Sequence, residues 1–165
     1  VSFNLPKGAR DFFGFDGPRA FAKRGGKRDG SSRFLLFDAY YCCLLLGLDD
    51  ARLGEESGME TDPFLSSGYP EAYKGQAELI AGLLVDAELR RLMIDVDDRE
   101  DVERKMVELL DLTSPTRLSV IGDNLLNQYA VTGFDRLHEG MYEPDNLEDF
   151  MVGYYRLWSG QAAGQ

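Results

Sequence analysis

The chain has 165 residues, 44% of them hydrophobic and 12% aromatic, and a net charge of −11. That length suits one domain and that apolar content can fill a real core, which excludes a disordered chain, a collagen-like repeat and a disulfide-stapled miniprotein. No apolar run reaches the roughly 18 residues of a membrane span, and the first residues lack the charged-then-apolar pattern of a secretory signal.

The charge is unevenly spread. Residues 1–33 carry eight bases and three acids, a net of +5, whereas the rest of the chain holds ten bases and twenty-six acids, a net of −16. Such blocks suggest a basic arm (1–33) on an acidic body (34–158), followed by a small, polar, loose tail (159–165). Glycines at 8, 14, 17, 25, 26 and 30 disfavour a long helix through the arm. Two roles are open to it. Lys23, Arg24, Lys27, Arg28 and Arg33, interleaved with phenylalanines, have the character of a nucleic-acid contact, with charge on phosphates and rings on bases. Alternatively Phe12, Phe13, Phe15 and Phe21 pin an irregular segment to the body, and the bases form a solvated loop. The scarcity of lysine, five against thirteen arginines, fits both a high-salt host and a GC-rich genome.

From residue 32 onward the spacing predicts helices. Ser31 or Ser32 caps a first helix through FLLFDAYYCCLLLGL to about Leu48, apolar all round except at Asp38 and therefore central. Asp38 requires a partner there, an arginine or a tyrosine hydroxyl. The adjacent Cys42 and Cys43 read as small core residues in a reducing compartment, which points to the cytoplasm. Residues 49–69 form a long acidic connection, with Asp49, Asp50, Glu55, Glu56, Glu60 and Asp62 solvated. Pro70 opens a second helix to about Met93. Asp97 and Glu100 form a capping box for a third helix with an inner stripe of Val102, Met106, Leu109 and Leu110. Ser114-Pro115 starts a fourth, with Leu118, Ile121, Leu125 and Tyr129 facing one way, and Thr132-Gly133 breaks it before a short helix through Leu137. Asp145 and Glu148 cap the last, whose stripe is Leu147, Phe150, Met151, Tyr154, Leu157 and Trp158. The expected fold is therefore all-α, a compact bundle of five to six helices with an irregular, Gly-rich basic N-terminal segment.

Catalytic signatures do not appear. The one histidine, His138, sits in a helix-end sequence, and no nucleophile has a context that supports a triad. The acids between Asp95 and Glu103 read as first-turn acids of a helix rather than metal ligands, so neither a metal nor another cofactor is expected. The leading expectation is a non-enzymatic helical adaptor or accessory subunit of a larger complex, with a protein partner or a second copy held through Tyr155 and Trp158. The alternative is a DNA- or RNA-associated accessory protein, of the kind that serves DNA modification or defence systems, acting through the basic arm. A third reading, a divalent-metal-dependent enzyme, would draw on the acidic residues.

Overall fold

A computed structural model of the protein describes residues 2–15 and 34–160. The fold is all-α, as the spacing predicts. Among the described residues there are six α-helices, two short 3₁₀ turns and no strand: α1 (Ala9–Phe12), α2 (Leu36–Asp50), α3 (Ala77–Arg91), α4 (Arg99–Leu109), α5 (Val120–Gly140) and α6 (Leu147–Trp158).

The apolar α2 lies against α5 along its length, and these two helices form the centre. Their approach is set by two glycines used reciprocally. A Cβ on Gly47 would fall 1.8 Å from the Tyr129 carbonyl oxygen, and one on Gly133 would fall 1.7 Å from that of Cys43. Backbone therefore meets backbone, which only a residue without a side chain permits. Gly133 accordingly does not break the helix: α5 runs unbroken for 21 residues, and the glycine serves the crossing instead.

The remaining elements pack around this pair. Residues 2–15 are packed into the body, with Phe3, Leu5, Phe12 and Phe13 buried. Phe3 exchanges backbone hydrogen bonds with Phe64 and Leu65 (2.9 and 2.8 Å), Leu5 accepts from Glu60 N (2.7 Å), and Lys7 N donates to Gly58 O (2.8 Å). The long connection is thus held by the N-terminal segment. Its acids are not all solvated: Glu60 pairs with Arg10 at 2.9 Å, and Asp49 and Asp50 pair with Arg136 at 2.9 and 2.8 Å. Gly8, at φ +87°, supplies the left-handed residue that turns the chain into α1 beside the Phe134 ring.

Helix starts differ from the expected positions in detail. Ser31 and Ser32 lie outside the described residues; α2 begins at Leu36, and Asp38 accepts from the Leu35 backbone N–H at 2.5 Å. A 3₁₀ turn, Glu71–Gln76, follows Pro70 before α3 begins. The cap of α4 is Asp98, accepting from Asp101 N (3.2 Å), not Asp97. Ser119, not Ser114, caps α5 by accepting from Gly122 N at 3.2 Å, because residues 111–118 first make a loop closed by the Leu110–Leu118 bridge. Asn146, not Asp145, caps α6, accepting from Asp149 N at 2.9 Å.

Candidate functional site

The last helix is built differently from the rest. Its inner side is fixed at a few points. Phe150 is fully buried, with its ring 5.3 Å from Phe13, 5.6 Å from Phe34 and stacked on Tyr154 at 5.5 Å. The Tyr154 hydroxyl donates to the Cys42 carbonyl of α2 at 2.8 Å. Near the C-terminal end, Arg136 donates to the Leu157 carbonyl (3.3 Å), and its guanidinium lies 5.7 Å from the centre of the Trp158 ring. Because Arg136 is also paired with Asp49 and Asp50, it ties the ends of α2, α5 and α6 together.

Its outer side is apolar too. Leu147 is 43% exposed, Met151 55%, Val152 45%, Tyr155 70% and Trp158 42%. Glu148, Asp149 and Arg156 are exposed among them. A helix that only had to dock would need a single apolar stripe. Here the apolar arc continues past the contact with the body, and large side chains remain in water. Tyr155 lies off the buried stripe. Trp158 is half-covered, edge-on to Tyr154 at 6.2 Å. The expected phosphate contacts, Lys23, Arg24, Lys27, Arg28 and Arg33, lie outside the described residues.

Other polar groups hold the fold together. Asp38 accepts from the Tyr73 hydroxyl, one of the two partner types expected for it. Burial pushes the Cys42 thiol up to about 12, with the Asp38 charge acting the same way, and Cys43 is also raised by burial, so both thiols stay protonated near neutrality. His138, exposed at the end of α5, lies beside the Phe12 and Phe134 rings at 5.9 and 5.8 Å. The acids from Asp95 to Glu103 cap and flank α4, and no group of three or more metal-ligating side chains occurs among the described residues.

Two buried acids escape a reading of spacing alone. Glu88, on α3, receives a two-pronged hydrogen bond from Arg91 (2.8 and 2.8 Å) and one from the Tyr129 hydroxyl (2.6 Å). Burial alone would raise its pKa, but the Arg91 and Tyr129 hydrogen bonds and the Arg91 charge outweigh it and hold the carboxyl below its ordinary value. The i, i+3 spacing of Glu88 and Arg91 was a signal for the pair, though not for its burial. Asp123, in the first turn of α5, is buried with Oδ1 unpartnered, and the neighbouring Tyr69 hydroxyl is likewise unpaired. Burial raises the Asp123 carboxyl, with Thr116 opposing.

A cleft of about 670 Å³ opens where α2, α5 and α6 end, lined by Arg52, Arg136 and Arg156 together with Asp50, Glu139 and Tyr142. Three helix C-termini carry partial negative charge into this region, which accounts for arginine there without a ligand. No family model, curated protein or solved structure matches the chain.

Proposed function

We propose that the chain is a non-enzymatic helical adaptor or accessory subunit that presents the outer face of α6 to a protein. The observation that carries this reading is the run of exposed apolar side chains, Leu147, Met151, Val152, Tyr155 and Trp158, on a helix already anchored by Phe150. Large aromatic and sulfur side chains of this kind are enriched at the centres of protein contacts, where a few of them supply most of the binding energy.

A photo-cross-linking residue placed at Tyr155 tests the proposal in cells that make the protein, with the same residue at exposed Val107 on α4 as the control. An adduct of defined mass at position 155 and none at 107 is expected, and it should vanish when Met151 is changed to Asp. Equal labelling at the two positions, or none at 155, would overturn the reading.

A further inference from the structure

One helix stands outside the packing that unites the others. Each of the other five α-helices places side chains in the hydrophobic core, and α4 places none there. Its one buried residue, Leu109, is the last of the helix and lies outside that cluster. From Leu92 to Glu108 no residue is buried.

The polar contacts divide in the same way. The hydrogen bonds and ion pairs of residues 95–107 all end within residues 95–110. The chain is pinned on either side of that stretch. Ile94 N donates to the Leu89 carbonyl at 2.9 Å, and Ser119 donates through Oγ and N to the carbonyls of Glu108 and Leu109 at 2.7 and 2.8 Å.

What makes α4 helical is therefore local. Asp98 caps it, Glu100 and Asp101 stand in its first turn, and the pairs Arg99–Glu103, Glu100–Arg104, Asp101–Arg104 and Lys105–Glu108 are spaced by three or four residues. Each such device contributes little, and a helix of eleven residues that relies on them is marginal in water. The side turned to α3 and α5 does not compensate, because the line of Val102, Lys105 and Leu109 has a lysine at its centre.

We propose that α4 is a strap that opens by itself: residues 95–107 lose their helix and lift away while the body, fixed at Ile94 and Leu109, stays closed. Elements with little buried surface open at free energies well below that of the whole fold. Opening carries off the charge of Lys105, whose side chain is 15% exposed and which acts on the buried Glu88 of α3. The bonds to Glu88 from Arg91 and Tyr129 belong to the body and remain. The strap is independent of any role for α6.

Hydrogen exchange on the full chain, read by mass spectrometry and corrected for intrinsic rates, tests it. Amides 102–108 should exchange at least about a hundredfold faster than those of α2 and α5, and low urea should leave their rate nearly unchanged, because little surface is exposed when they open. Asp98→Ala should speed these amides about fivefold, the worth of a cap, and leave α2 and α5 as they were. Leu126→Ala, in the core of the body, should do the reverse, speeding α2 and α5 and sparing 102–108. Amides 102–108 that exchange in step with α5 and with the same urea dependence would overturn the strap. So would an Asp98→Ala effect that spreads equally to α2 and α5, since α4 would then open only with the whole fold.

Discussion

The α2–α5 crossing and the α6 surface use apolar sequence in opposite ways. In the crossing, eight of the fifteen residues of α2 are buried and two glycines bring the backbones together. In α6 one residue of twelve is buried, although the helix carries eight large apolar side chains. The difference teaches that apolar content alone does not tell core from contact surface. What matters is whether the body offers enough wall to cover it, and beside α6 it covers one flank.

The contrast is open to direct attack. Gly133→Ala should have the largest effect: its methyl group has no room against the Cys43 carbonyl, so the crossing must open. A loss of about 4 kcal/mol, or failure to unfold cooperatively, is expected in urea titration. Gly82→Ala, in α3 with nothing near it, should instead stabilise by up to about 1 kcal/mol. Phe150→Ala comes next, at about 3 kcal/mol, because it removes the one fully buried anchor of α6. A much smaller loss would mean that α6 is not seated on the Phe13 and Phe34 rings.

Asp123→Asn should stabilise by about 1 kcal/mol, since it removes a buried carboxylate with an unpartnered oxygen. The sign follows from linkage. The carboxyl's folded pKa is raised above the unfolded one, so the folded state binds the proton more tightly and loses stability as pH rises through the folded pKa. The advantage of Asn should be full at neutral pH and fade in acid, where the aspartate is already neutral; thermal melts across that range check it. The smallest effect belongs to Tyr155→Ala, which should change stability by less than about 0.5 kcal/mol while weakening association. A large stability loss there would make Tyr155 a packing residue and erase the distinction between the two regions.

Much of this architecture can be read from residue spacing. The apolar run of α2 and the exposure of Tyr155 follow from period alone, but of the stripe read on α6 only Phe150 is buried, and Leu147, Met151 and Trp158 are exposed. Cap positions were legible only to within a residue or so at α4 and α6, because in DVDDRED and PDNLED several neighbours can each accept the first backbone N–H groups. Side-chain type does not choose among them; the docking of the helix does. The role of Gly133 was illegible for a related reason: a glycine within a helical pattern reads as a weak point until the partner backbone is known to lie against it. The burial of Phe3 and Leu5, far from the helices that cover them, carried no local signal at all. As for the contact surface, spacing singled out Tyr155 and Trp158, but which side of α6 the body leaves open depends on packing that spacing does not give.

The buried N-terminal segment has a consequence for how the chain reaches its fold. Ser2 and Asn4 are bound by Asn127, partners 125 and 123 residues away. Contacts of such separation are slow to form, because a long loop must close before they are made. On a growing chain, Phe3, Leu5, Phe12 and Phe13 are made well before α5 and must wait for its synthesis before they are covered. Until then these side chains leave apolar surface uncovered on the nascent chain.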